Sequence, residues 1–222
     1  MKRIHLPNMG PVTGNIPKAI GAAVKECQSI GAQEVALITP LKNNLDTLVI
    51  GEFLGEAVAK RLMKGESIPI GKEGVSLIHG SVATITKGRP PRVGLAFYVS
   101  RGDIQKLDDL RFDVLIYVPW LDKDGQVWAA KWGAETLGAQ TRDQDIDLPA
   151  EVIEALQRLT RCVNLSTGLG HPSDKTNAKR QFTNLRAAGL HWRPSELEKW
   201  AVRNGWRAAD AEELATLSAR YT

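Results

Sequence analysis

The sequence predicts an α/β fold, in which a mainly parallel sheet carries helices on both faces in three layers, followed by a small all-helical C-terminal domain. In the first part of the chain, short apolar runs alternate with segments at helical spacing, which is typical of parallel strands joined by helical crossovers. Near the C-terminus only helical periodicity remains. We assign residues 1–164 to the α/β domain, with a polar linker at 138–148, and residues 173–222 to a three-helix domain.

Five segments have the composition of strands that are buried inside such a sheet. The run at 34–39, EVALIT, is almost continuously apolar, as expected for a strand covered on both faces. The segment at 81–86 fits either a strand or the first turn of a short helix. The other predicted strands cover residues 3–6, 75–78, 93–99 and 113–118.

The predicted helices of this domain begin at capping residues and end at glycines. Asn15, Asp46 and Asp103 are expected N-caps, because their side-chain oxygens can accept from the first free amides of a helix. Gly31 and Gly65 are expected to end the first two helices. The predicted helices cover residues 15–30, 46–64, 103–110, 127–137 and 149–163.

The tail is predicted to form three short helices, at 174–188, 196–203 and 211–221. Ser195 with Glu198, and Asp210 with Glu213, have the spacing of capping boxes at the last two helix starts. A unit of this size needs large side chains to bury enough apolar area, so its tryptophans are expected in the core. These tryptophans are Trp192, Trp200 and Trp206.

The composition is that of a globular intracellular protein. Of 222 residues, 43% are apolar, which is enough to bury a core. No signal peptide is expected, since proline and glycine interrupt the N-terminus before an apolar run develops, and no run of about 18 apolar residues is present to span a membrane. Cys27 and Cys162 stand far apart at apolar positions, so we expect two reduced core thiols and a cytoplasmic location.

The sequence carries no recognisable metal or cofactor motif. The four histidines, His5, His79, His171 and His191, lack HxxxH and HExxH spacing, so no metal site is expected. The loop at 8–15, NMGPVTGN, has neither the spacing of a P-loop nor that of a dinucleotide fingerprint. The cofactor therefore stays unassigned, although amides at the start of the following helix are suited to bind an anion.

Polar residues collect where the predicted strands end, which is where ligands bind in open α/β sheets. This rule gives ten candidate ligand-binding residues: Asn8, Thr13, Thr39, Lys42, Asn43, His79, Ser81, Ser100, Arg101 and Trp120. Among them, Arg101 is suited to bind a phosphate or carboxylate through two hydrogen bonds. The expected function is binding of a nucleotide or another anionic small molecule at this edge.

His79 and Ser81 raise the question of catalysis. Residues two apart on a strand point to the same face, and an imidazole titrates near neutral pH. However, no nucleophile elbow and no orienting acid accompanies them. The sequence therefore assigns no catalytic residue and leaves open whether any reaction takes place.

Two other functions stay open. The α/β domain can serve as a scaffold whose helical tail docks a protein partner. Alternatively, the basic stretch at 87–92, KGRPPR, and the tail can contact nucleic-acid phosphates without reading sequence. From Ser173 onward the tail has nine cationic and six anionic side chains, and the basic residues of its first helix are Lys175, Lys179, Arg180 and Arg186. Sequence-specific DNA binding is not expected, because the last helix begins with the acidic run DAEE.

Overall fold

A computed structural model describes residues 1–71, 74–87, 90–138 and 146–222. Its contacts divide the chain into two compact units. The first consists of Met1–Ala129 and Ala134–Thr141, and the second of Ala130–Gly133 and Arg142–Thr222. Most of the predicted linker, residues 139–145, lies outside the described residues, as do Gly88 and Arg89 of the KGRPPR stretch.

The first unit is built on a seven-stranded sheet. Its strands are β1 (Lys2–His5), β2 (Glu34–Thr39), β3 (Ile68–Ile70), β4 (Val75–Ser81), β5 (Val93–Phe97), β6 (Val114–Val118) and β7 (Glu135–Thr136). They lie in the order β3-β4-β2-β5-β6-β1-β7. Neighbouring strands pair in parallel, except that β3 runs antiparallel to β4. The predicted mainly parallel sheet is confirmed.

Helices cover both faces of this sheet. They are α1 (Asn15–Ser29), α2 (Val49–Leu54), α3 (Glu56–Met63), α4 (Val82–Ile85), α5 (Arg101–Asp108) and α6 (Asp122–Trp132), with a 3₁₀ helix at Lys42–Thr47. The side chains of Ile4, Leu37 and Leu95 form one core with those of α1 and α3. On the opposite face, Trp128 of α6 packs edge-to-face against Tyr117 of β6, with ring centroids 5.4 Å apart.

Two strands were not among those predicted, because both are too short to show a periodicity. Strand β3 has three residues and contains Pro69, which is compatible only with an edge or a bulge. Strand β7 has two residues. The segment at 81–86 resolves into the last residue of β4 followed by α4, so it is mainly helical.

The predicted long helix at 46–64 is wrong, because the structure has a 3₁₀ turn and two helices there. Gly55 separates α2 from α3 with φ at 86°, a conformation that only glycine adopts without strain. Asp46 lies inside the 3₁₀ helix instead of capping an α-helix. At Gly51 an added Cβ would stand 1.9 Å from the carbonyl oxygen of Leu45, so glycine lets the two turns approach closely.

Helix starts are also displaced from their predictions. Four predicted caps lie one to three residues inside the first turn, where acidic side chains and proline are also favoured, which explains the displacement. They are Asn15, Asp103, Ser195 and Asp210; the observed N-caps are Gly14, Ser100, Arg193 and Arg207. The helix predicted at 127–137 begins earlier, at Asp122, and ends at Trp132.

The second unit contains α7 (Ala150–Cys162), α8 (Pro172–Ala187), α9 (Pro194–Arg203) and α10 (Ala208–Ser218). The three tail tryptophans are buried, as predicted. Helix α7, which the predicted boundary placed in the α/β domain, belongs by its contacts to this unit: Nε1 of Trp206 donates to Oγ1 of Thr160 at 2.9 Å. Cys27 is buried as expected, but Cys162 is exposed at the end of α7, so the prediction of a second core thiol is wrong.

Within the described residues, no helix has both the length and the apolar character needed to cross a bilayer.

One buried carboxylate interrupts the apolar packing beneath α6. Asp108 accepts from Nε of Arg3 at 2.8 Å and from the indole of Trp128. Burial raises its pKa to about 6, although the Arg3 guanidinium opposes this shift. The ionised form is therefore destabilised despite its two hydrogen bonds.

The contact between α6 and β1 depends on Gly125. A Cβ added there would stand 2.1 Å from Nε2 of His5 and 2.7 Å from Cγ of Pro119. We expect Gly125→Ala to lower the free energy of unfolding by about 1–3 kcal/mol through overpacking, measured by urea denaturation. Gly102→Ala on α5 is the matched control, since its Cβ would meet nothing within 4 Å. Equal stability of the two variants would contradict this account.

Candidate functional site at the carboxyl edge of the sheet

The connections between strands change direction across the sheet at the position between β2 and β5, which we call the strand reversal. The chain leaves β2 toward β3 and β4 on one side, and it leaves β5 toward β6 on the other. Ligands of open α/β sheets bind outside the carboxyl ends of two such neighbouring strands. The predicted site residues that follow β2 and β5 therefore flank the position where this topology favours a ligand.

Thr39 and His79 form a buried pair beside this reversal. Oγ1 of Thr39 and Nε2 of His79 are 2.8 Å apart, and both residues are buried. The Thr39 hydroxyl donates its only proton to the carbonyl oxygen of Leu41 at 3.0 Å. It must then accept from His79, which assigns the proton of the neutral ring to Nε2 and leaves Nδ1 as an acceptor.

The ring of His79 is held neutral by its surroundings. Burial, with a smaller contribution from the positive charge of Lys42, lowers its pKa to about 4. Its Nδ1 is buried and has no hydrogen-bond partner among the described residues. At neutral pH the pair therefore offers Nδ1 of the uncharged His79 ring as a hydrogen-bond acceptor, and the ring does not take up a proton.

Two predicted serines are engaged in capping helices. Ser81 forms a capping box with Thr84 at the start of α4, and Ser100 accepts from the amide of Asp103 at the start of α5. The same Ser100 hydroxyl donates to Oδ2 of Asp103 at 2.8 Å. Their positions at the edge are as predicted, but their oxygens stabilise the loops instead of projecting as nucleophiles.

A second group of residues is tied together by the backbone of Gly10, where the loops after β1, β5 and β6 meet. Its amide donates to the carbonyl oxygen of Trp120 at 2.9 Å, and its carbonyl oxygen accepts from the hydroxyl of Tyr98 at 3.0 Å. Nδ2 of Asn8 donates to the same carbonyl and to that of Pro119, at 2.8 and 2.9 Å. The predicted residues Asn8 and Trp120 are thereby brought together.

Tyr98 is the residue of this group that sequence reasoning missed. Its φ is 58°, in the left-handed region, which costs a non-glycine residue roughly 1–2 kcal/mol. Its ring packs edge-to-face on Trp120 with centroids 4.9 Å apart. An apolar run such as VGLAFYV carries no signal for a positive φ, so only the structure identifies this position.

The two groups lie next to each other across the reversal. Ile38 is in register with Ala96, which places the end of β2 at Thr39 beside the end of β5 at Phe97. Paired strands are about 4.8 Å apart. The Thr39–His79 pair and the Gly10 group therefore border one continuous edge.

Two cations stand on this edge without an ion pair. Lys42 follows β2 and Arg101 follows β5, and neither forms a salt bridge within the described part of the chain. Thr13 and Asn43, the remaining predicted residues, are exposed in the neighbouring loops. Among the described residues, no cluster of three or more His, Cys, Asp or Glu side chains is arranged to hold a metal ion.

His5 and Asp122 form a second buried contact that the sequence did not indicate. Nε2 of His5 lies 3.5 Å from Oδ1 of Asp122, at the end of β1 and the start of α6. Burial lowers the pKa of His5, and the negative charge of Asp122 opposes this effect. The neutral ring is therefore favoured, as it is at His79.

Two further grooves occur elsewhere on the chain, and each includes at least one cation in a salt bridge. The groove between α1 and β7, about 630 Å³, includes Lys2, whose ammonium nitrogen is 2.7 Å from Oε1 of Glu26. A groove of about 550 Å³ in the second unit includes Arg193, which bonds Asp147 at 2.9 Å. Within the described residues, Lys18 and Lys25 of the first groove form no salt bridge either, so Lys42 and Arg101 are distinguished by their position at the strand reversal and not by the lack of an ion pair.

Comparison with protein families gives one finding, for the C-terminal third of the chain. Residues 149–222 match the model of a domain of unknown function, DUF1889. This segment begins just before α7 and includes all four helices of the second unit. No curated protein matches the chain, and no solved structure matches it. The carboxyl edge of the sheet lies outside the matched segment.

The low pKa of His79 predicts a pH dependence of stability. The unfolded ring binds a proton below about pH 6.5 and the folded ring only below about pH 4, so stability is lost as the pH falls through this window. Between about pH 7 and pH 4, protonation of His79 is expected to lower the free energy of unfolding by about 3 kcal/mol. We expect His79→Gln to lack this contribution. Urea denaturation across this range measures the difference, with His191→Gln, at an exposed position, as control. Parallel curves for wild type and His79→Gln would contradict the assignment.

Proposed function

We propose that this chain binds an anionic small molecule at the carboxyl edge of its sheet, between the loops that follow β2 and β5. The observation that carries the proposal is the placement of Lys42 and Arg101, two cations without a salt bridge to described residues, on either side of the strand reversal. Cations at the edge of a low-dielectric core attract a counter-ion more strongly than isolated surface charges do.

The start of α5 adds to this attraction. The first amides of a helix have no partner inside the helix, and their dipoles favour a negative charge nearby. Ser100 accepts from the amide of Asp103, and the amides of Arg101 and Gly102, at the first two positions of α5, have no partner inside the helix. A phosphate or carboxylate placed there would meet these amides and the Arg101 guanidinium together.

The arrangement supports binding more strongly than catalysis. A general base has to titrate near the working pH, whereas the pKa of His79 is about 4. The serine hydroxyls of the edge are hydrogen-bonded in helix caps. We therefore assign these residues no catalytic role.

The nucleic-acid alternative is weakened by pairing within the second unit. Lys175 is 2.8 Å from Oε1 of Glu213, and Arg180 donates to Oδ1 of Asn177 at 2.9 Å. Glu213 offsets the positive charge of Lys175, and Asn177 occupies one N–H donor of the Arg180 guanidinium.

We expect duplex DNA to bind more weakly than micromolar at about 150 mM salt. A salt titration of wild type, and of a variant with all four basic residues of the first tail helix changed to alanine, measures this. Tight binding that disappears in the variant would favour nucleic acid.

The proposed function is tested by the affinity for anions of defined charge. We expect tripolyphosphate, ATP or citrate to raise the melting temperature of the full chain, and Lys42→Ala with Arg101→Ala to weaken binding about 10-fold or more. Isothermal titration calorimetry gives the affinities. The matched control is Lys64→Ala with Arg111→Ala, which removes two exposed cations away from the carboxyl edge. Equal losses in both double variants, or no binding to wild type, would contradict the proposal.

A further inference from the structure

Trp120 is an unusually exposed aromatic side chain at the proposed site. Its relative exposure is 46%, although large aromatic side chains are highly buried on average. It follows β6 directly, on the same edge as Lys42 and Arg101. Exposed apolar side chains stand beside it in sequence and in the loop after β1; they are Leu121, Met9 and Val12.

The position of Trp120 is fixed by its neighbours. Its carbonyl oxygen accepts from the amide of Gly10, and the ring meets Tyr98 at an interplanar angle of 86°. In such a T-shaped pair Tyr98 covers at most one face of the indole, and the exposure of Trp120 leaves part of the ring accessible to a ligand. Tyr98 is itself anchored by its hydroxyl on Gly10, and the pair therefore forms a rigid platform.

The backbone strain at Tyr98 is an independent observation at the same place. A left-handed conformation in a non-glycine residue persists only where the surroundings enforce it, and such residues cluster at ligand sites. Here the strained residue is buried in the core of the first unit and also contacts an exposed tryptophan. A purely structural role would not require the indole to stay in solvent.

The strand order sets the distance from this platform to the cations. Trp120 follows β6, Arg101 follows β5 and Lys42 follows β2, and these are three successive strands. Two strand spacings amount to about 10 Å. A molecule with an aromatic ring at one end and a phosphate about 10 Å away has the size of a nucleotide.

We infer that the anion bound at this edge is a nucleotide, whose base stacks on Trp120 and whose phosphates lie between Arg101 and Lys42. The inference rests on the proposed function and adds the class of ligand. Stacking on an aromatic side chain tolerates every base, so the structure assigns the nucleotide class and not one base.

The test compares each nucleotide with a probe that carries the same anion without a base. ATP, GTP, CTP and UTP are titrated against the full chain beside tripolyphosphate, all at one ionic strength. We expect at least one nucleotide to bind about 5-fold or more tightly than tripolyphosphate. Trp120→Ala is expected to abolish this preference while leaving the tripolyphosphate affinity unchanged, and Trp120→Phe to retain part of it.

Phe53→Ala is the matched control for the loss of an exposed aromatic side chain. The exposed fraction of Phe53, 47%, is similar to that of Trp120. Phe53 lies on α2 and not in a loop that directly follows a parallel strand. We expect this variant to keep the preference for nucleotides. Circular dichroism melting of each variant verifies that the sheet is folded at the titration temperature.

The outcomes separate the two proposals. If wild type binds tripolyphosphate and all four nucleotides equally, or if Trp120→Ala keeps the preference, the nucleotide inference is wrong while the anion site stands. If a nucleotide binds with a preference that Trp120→Ala removes and Phe53→Ala does not, the inference is supported. If no anion binds to the folded wild type, both proposals fail.

Discussion

Burial of a parallel sheet on both faces is the constraint on which the rest of the first unit depends. Parallel neighbours cannot be joined by tight turns, so each connection crosses a face and returns to the opposite end. The strand interiors must then be apolar on both sides, as the full burial of Val35, Ala36 and Leu37 illustrates. Polar side chains are confined mainly to the strand ends, where the loops carrying the candidate site meet.

Two exceptions to this rule are the buried titratable residues His79 and Asp108. Their pKa shifts have opposite effects on stability as the pH falls. His79 resists protonation because its charged form is desolvated, whereas Asp108 resists losing its proton for the same reason. Acidification from about pH 6 to pH 4 therefore destabilises the fold through His79 and relieves an unfavourable charge through Asp108. The combined contribution of these two groups to the pH dependence of stability is therefore expected to be smaller than that of either group alone.

Sequence reasoning identified the layer architecture and the edge, because hydrophobic runs and strand ends are properties of local composition. It placed Asn8, Thr39 and Trp120 correctly at strand ends but gave no indication of which of them meet. That depends on strand order, which brings β5 between β2 and β6 and is not encoded in any single segment. The strain at Tyr98 and the break at Gly55 were missed because their φ values arise from tertiary contacts and loop geometry.

The shortness of the two outer strands has a consequence for solubility. An exposed, long and apolar edge strand offers its free amides and carbonyls to a second molecule and promotes aggregation. Here β3 ends the sheet on one side with three residues, including a proline that cannot donate, and β7 ends it on the other with two. These short strands pair with residues 75–77 of β4 and with Ile4 and His5 of β1, so neither outermost strand offers a long template for fibril growth.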